Sequence, residues 1–277
     1  MFRHDPPEVT SRRLASAGTL VASLEMLCQA RKFEEGELLS SQLHNFYPRF
    51  AKRFPRLTRV LNSKPAAMGL YAAQAGASAA TMVWPQHRGV RAVGSAVLAA
   101  AGAADRLRSN FGGDGADQMQ QVLNVVHATT ATIKDPRQGR EIAMSALALE
   151  TTLSYVASGA VKAVSPVWLR GEAFDAIIRT RNYGDQRVYA LVQRYPSLGK
   201  LVSWGTIAAE LGFPLVYFLP LPLARAYLGA MLLFHLGIGQ FMGLNRFVVA
   251  FGATHPGLLH VLRKRSERAA LEPVHTA

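Results

Sequence analysis

One cysteine, Cys28, stands among 277 residues, so neither a disulfide framework nor a cysteine-based metal site can form within one chain. Charge is also scarce. Lys, Arg, Asp and Glu together make up 18% of the sequence, against ~25% in ordinary soluble domains. Acidic residues are the scarcer half, 18 against 31 basic ones, which leaves a net charge of +13. No Gly-rich phosphate loop, His-Glu-x-x-His zinc motif or serine nucleophile elbow is present, which argues against nucleotide hydrolysis and zinc proteolysis. Any chemistry is left to a lysine, histidine or carboxylate acting as base. The opening "MFRHDPPEVTSRR" is charged and proline-bearing, and the run after it holds Glu25 and no small-residue cleavage site; it is not expected to be a signal peptide.

What the chain has instead is apolar length. The hydrophobic residues make up 49% before 23 glycines are counted. Pro65 to Gln86 and Ala226 to Asn245 carry no charged residue, and each reaches the ~20 residues a helix needs to cross hydrocarbon. Weaker runs are Leu14 to Ala30, Val90 to Ala104, Gln118 to Ile133, Ile142 to Val164, Leu201 to Pro220 and Phe247 to Leu262. Many of their positions are Ala, Gly or Ser, residues that let membrane helices approach closely. The expectation is an all-α integral membrane bundle of six to eight transmembrane helices in one domain, 14–262. A cytoplasmic segment, 1–13, precedes it and a basic polar tail, 263–277, follows. Buried core helices of a soluble all-α protein are the competing reading.

The positive charge lies between the uncharged stretches, not gathered on one face, which suits membrane loops and not a nucleic-acid partner. Arg49, Lys52, Arg53, Arg56, Arg59 and Lys64 alternate with Phe46, Tyr47, Phe50 and Phe54. That connection is either a basic amphipathic helix lying on anionic lipid or a solvated cytoplasmic loop. Arg12, Arg13 and the tail "RKRSER" place both ends in the cytoplasm, so an even number of crossings of the inner membrane is expected.

Polar residues inside the runs are the candidates for function. Glu150, Ser154, Ser158 and Lys162 recur every four residues, a slanting ribbon along one side of a helix. A charge at lipid depth usually faces a partner or a watery cavity; alternatively Lys162, four residues before Pro166, snorkels at a helix end. Gln121, Asn124, His127 and Thr130 form a second stripe, and Asp114 or Asp117 is placed to cap its helix. Glu210 and His235, on separate helices, are either a proton-sharing pair or a structural hydrogen bond. The sequence "FPLVYFLPLP" (Phe213 to Pro222) has the look of a broken helix lining a pathway, which keeps a solute or proton carrier as a further option.

Taken in order, "DGADQM" (Asp114 to Met119), "YVASGAVKAVSPVWLRGEAF" (Tyr155 to Phe174), "SWGTIAAELGFPL" (Ser203 to Leu215) and "FHLGIGQFMGLNRF" (Phe234 to Phe247) resemble the HTTM family. These are bacterial multi-pass proteins related to the membrane part of vitamin K-dependent gamma-carboxylase, and some are associated with maturation of a secreted peptide toxin. The resemblance runs from about Leu14 to Leu262. It implies that Lys162, framed by Tyr155, Gly159, Trp168 and Gly171, stands where the carboxylase has the base that deprotonates reduced vitamin K. On this reading Lys162, Glu210 and His235 carry the chemistry, and Asp114, Asp117 and Trp168 contact a reduced quinone. Membrane lipid and a peptide substrate or partner membrane subunit are the implied partners, and no metal is implied. The carboxylase's upstream Asn-His pair is matched here by Asp114-Gly115-Ala116-Asp117, so its histidine has no counterpart at that place. The alternative class is a non-enzymatic scaffold, immunity or transport partner whose polar residues only pack helices.

Overall fold

A computed structural model describes residues 5–40, 48–108 and 113–271. Phe46 and Tyr47 of the basic connection lie outside the described residues, as do 1–4 of the N-terminal segment and 272–277 of the tail. The described residues are helical and hold no strand. They divide at Ala143 and Met144 into two compact units.

Unit 1 runs through α1 (Pro7–Cys28), α2 (Pro48–Arg53), α3 (Pro55–Leu61), α4 (Lys64–Val83), a π segment (Val90–Gly94), α5 (Ser95–Arg108), α6 (Gly115–Ala131) and the start of α7 (Pro136–Ala163). Helix α1 packs along α4, α4 against α5, and α5 against α6. Proline at the first turn sets where α1, α3 and α4 begin, because its missing N–H is not needed there. Ser63 caps α4 by accepting from the Ala66 amide at 3.3 Å. Helices α2 and α3, carrying the basic connection, are short, and α3 buries none of its residues.

Unit 2 holds the rest of α7, then α8 (Pro166–Leu169), α9 (Ala173–Ile178), α10 (Gln186–Arg194), α11 (Pro196–Leu211), α12 (Leu221–Met242), α13 (Asn245–Gly252) and α14 (His255–Leu271). Two of the expected runs are not single helices. The run Leu201 to Pro220 stops at Leu211 and continues as the 3-10 turn Phe213–Tyr217, since Pro214 lacks the donor an α-helix would need next. "FPLVYFLPLP" is therefore the connection between α11 and α12 together with the first two residues of α12, not an interruption inside one spanning helix. The run Phe247 to Leu262 breaks at Ala253 and Thr254, and α14 starts afresh with Pro256 in its first turn.

Some helices bury polar stripes although the cores also hold Met119, Leu123, Leu147 and Phe213. On α4 the buried stripe is Ala67, Tyr71, Gln74, Ser78 and Thr81, and on α11 it is Gly199, Ser203, Thr206 and Glu210. Leu201, Trp204, Leu149, Leu153 and Val161 face outward. Water would drive the opposite arrangement. Among the described residues one helix, α12, is both long and apolar enough to cross a membrane, and only 22% of its most apolar stretch is buried.

Candidate functional site in unit 2

The polar ribbon of α7 finds its partner on α11. Lys162 Nζ donates to both oxygens of Glu210, at 3.0 and 2.8 Å, and to the Ser158 hydroxyl. Ser158 Oγ in turn donates to Glu210 Oε1 at 3.3 Å. The carboxylate side chain is 6% exposed and that of the lysine 18%, so the pair is largely withdrawn from solvent, the lysine being the less covered of the two. Further up the ribbon, Ser154 Oγ donates to Glu150 at 3.4 Å.

Close backbone approach makes this pairing reachable. A Cβ on Gly159 would lie 2.9 Å from the Leu211 amide nitrogen and 3.0 Å from Glu210 Cβ, so only glycine lets α7 and α11 cross there undisturbed. One turn beyond Lys162, Ser165 and Pro166 end the helix and α8 turns back, which brings the Trp168 ring under the ammonium with 5.2 Å from Nζ to the ring centre. That is the distance of a cation–π contact. Gly171, at φ +74°, follows α8 and would bring any Cβ within 3.0 Å of Lys200 Cα, so the return of the chain onto α11 also needs glycine. Trp204 Nε1 fixes the same turn by donating to the Leu169 carbonyl at 2.9 Å.

His235 belongs to a different contact. Its Nε2 lies 2.8 Å from the Tyr155 hydroxyl, both groups buried, and its ring stacks on Phe251 at 4.2 Å between centres. Phe213 also packs on Tyr155, at 4.4 Å between ring centres. Glu210 thus binds Lys162 and Ser158, and His235 binds Tyr155; the two do not share a hydrogen bond. His235 Nδ1 is buried without a hydrogen-bond partner among the described residues.

Asp114 and Asp117 are in unit 1. Asp114 Oδ1 accepts from the Ala116 and Asp117 amides at 2.9 and 3.1 Å, and Asp117 Oδ2 accepts from the Asp114 amide at 3.0 Å. This reciprocal capping box starts α6 and engages both carboxylates with backbone N–H groups. The second stripe is likewise bonded: Gln121 donates to the Ala99 carbonyl at 2.9 Å and His127 Nε2 sits 3.1 Å from Ser11 Oγ. Among the described residues no group of His, Cys, Asp and Glu is arranged to hold a metal ion.

Of the residues singled out in the sequence, Lys162, Glu210 and Trp168 come together. Tyr155, named only as a landmark, turns out to be the partner of His235. What the fold and site define is an all-helical protein with polar stripes buried in its interior and a lysine-glutamate pair on an aromatic face. Compared with known proteins, the chain matches no family model, no curated protein and no solved structure.

Proposed function

We propose that the chain is a multi-pass inner-membrane protein of the HTTM class, six to eight crossings in all, whose Lys162–Glu210 pair handles a proton for a quinone- or lipid-like substrate used in modifying or maturing a peptide. The observation that carries the reading is the inverted polarity around that pair: a lysine and a glutamate packed inward while leucine, valine and tryptophan point out. In lipid this arrangement suits both kinds of residue around the pair, since Lys162, Ser158 and Glu210 bond one another and the apolar ones need no cover.

A lysine held by a carboxylate on both oxygens is an acid first. It becomes a base when its proton has passed to Glu210, leaving a neutral amine beside a neutral acid. Ser158, bonded to both partners, keeps the two groups in register for that exchange. A reduced quinone, when bound, would supply the acidic hydroxyl; the Trp168 ring and the partly open side of Lys162 are the surfaces that fit such a flat, polar-edged ring. Tyr155 and His235 form a second hydrogen-bonded pair that borders the same helix.

One observation favours the alternative, a scaffold or partner subunit without chemistry. The pair lies beside the Gly159 crossing and pins α7 to α11, which is also what a structural clasp would do. Mass spectrometry of small molecules retained by the purified protein separates the readings. A quinone bound to the wild type and lost in an accumulating Lys162→Ala variant supports the enzyme. Phospholipid alone, together with full biological activity of a Lys162→Met/Glu210→Leu protein, supports the scaffold.

A further inference from the structure

Unit 1 gathers at one end of its helices a group of charges that the Lys162 site does not use. Glu8 and Arg12 lie one turn apart on α1, Arg91 is in the π segment, and Arg140 is in the second turn of α7. With Thr130 and Gly139 they line a small cleft of about 20 Å³. That is space for one oxygen atom to be seated, with the remainder of a ligand at the mouth.

The charges do not balance. Glu8 Oε1 pairs with Arg140 at 2.8 Å, and Asp5 is taken up by Arg13. Arg12 is 5% exposed and donates from Nη1 to the Pro85 carbonyl at 3.0 Å; the carboxylate near it is Glu8, which it shares with Arg140. Arg91 has no ion pair among the described residues. The Nε atoms of Arg12 and Arg91 are buried and lack hydrogen-bond partners among the described residues. Two guanidinium groups are therefore gathered with donors unused, three arginines share the one carboxylate of Glu8, and buried positive charge in such excess is costly. Glu8 Oε2, also buried without a partner there, opposes an anion unless it accepts from a protonated oxygen.

Backbone geometry points the same way. A π turn advances fewer degrees per residue than an α-helix and so carries Arg91 off the face it would otherwise occupy; such turns gather at functional sites. Helices α1 and α7 both begin at this end, and helix N-termini favour anions.

We propose that this cleft binds a phosphate group through Arg12 and Arg91, with Arg140 held at its edge by Glu8. Planar guanidinium forks match phosphate oxygens, and the bare Nε atoms supply the donors. The phosphate is either that of an anionic lipid headgroup or a free one, and the test separates them.

The purified protein in neutral detergent is titrated with inorganic phosphate against chloride of equal ionic strength, and separately with phosphatidylglycerol against phosphatidylcholine, following thermal unfolding. A saturable rise with inorganic phosphate assigns a free phosphate; a rise with phosphatidylglycerol alone assigns a headgroup. Arg91→Gln should weaken the effect roughly ten- to hundredfold, the loss of one charge-assisted hydrogen bond. No rise with either probe, or an equal rise in Arg91→Gln, overturns the proposal. Should that variant not accumulate, phenylglyoxal mapping of the wild type decides: phosphate or phosphatidylglycerol should protect Arg91 from modification, and equal labelling with and without them overturns the assignment.

Discussion

Replacing Gly159 with alanine tests the helix crossing on which the lysine-glutamate pair depends. The added methyl would stand 2.9 Å from the Leu211 nitrogen, 3.0 Å from Glu210 Cβ and 3.0 Å from Leu211 Cγ. Two of these atoms lie on the α11 backbone or its first side-chain carbon, so no rotamer change relieves them and α11 itself must retreat by a few tenths of an ångström. Overpacking of this kind costs about 1–3 kcal/mol, offset in part by the roughly 0.5–1 kcal/mol that alanine gains over glycine inside a helix. Gly205, on the same α11, has nothing within 4 Å of its would-be Cβ, so Gly205→Ala should collect the gain alone. The two variants are expected to differ by about 2 kcal/mol in unfolding free energy measured by detergent denaturation, Gly159→Ala the weaker. Equal stabilities would refute the close crossing and with it the route by which Lys162 reaches Glu210.

Glu210→Leu strands the Lys162 ammonium and should destabilise by up to about 3–5 kcal/mol, reduced by the lysine's residual exposure, while Lys162→Met/Glu210→Leu should come near wild type; additive losses in the double-mutant cycle would contradict the pairing. Tyr155→Phe removes the partner of buried His235 and should cost about 1–3 kcal/mol, read from the same denaturation curves; no loss would show that the 2.8 Å contact is not a hydrogen bond. At the surface, Lys64 donates to Glu34 at 2.8 Å and holds its carboxyl below the ordinary 4.5. A lowered folded-state value means that the pair's contribution is present above that ordinary value and is lost as pH falls through the folded one. Carbon-detected NMR of Glu34 should titrate below 4.5 and move upward in Lys64→Ala; an unchanged midpoint would dispose of the ion pair.

The helices were legible where charge is absent and the ends are punctuated. Pro65 to Gln86 became α4 because Ser63 and Pro65 mark its start, and of the two aspartates placed to cap α6, Asp114 is the cap and Asp117 completes the box. The span Phe247 to Leu262 misled because apolar content hides a break that His255-Pro256 signals: proline in a first turn starts a helix as readily as it ends one. For the site, the four-residue ribbon was readable, but its partner was not. Glu210 lies 48 positions from Lys162 in sequence, and nothing local links them; Gly159, the residue that permits the contact, looks like any other small residue of a membrane helix. Tyr155 with His235 is hidden for the same reason. Arg12 was read only as a marker of orientation, since its convergence with Arg91 and Arg140 depends on three helix ends meeting.

The inverted polarity is tested most directly by power-saturation EPR in proteoliposomes, with single spin labels at Leu149, Leu201 and Leu233 after Cys28→Ser. All three side chains face outward, at 60%, 66% and 68% exposure. If lipid surrounds them, collisions with oxygen should exceed those with a water-soluble nickel chelate at every site. Dominant collisions with the nickel chelate at these positions would place the leucines in water and contradict the membrane reading together with the proton chemistry built on it.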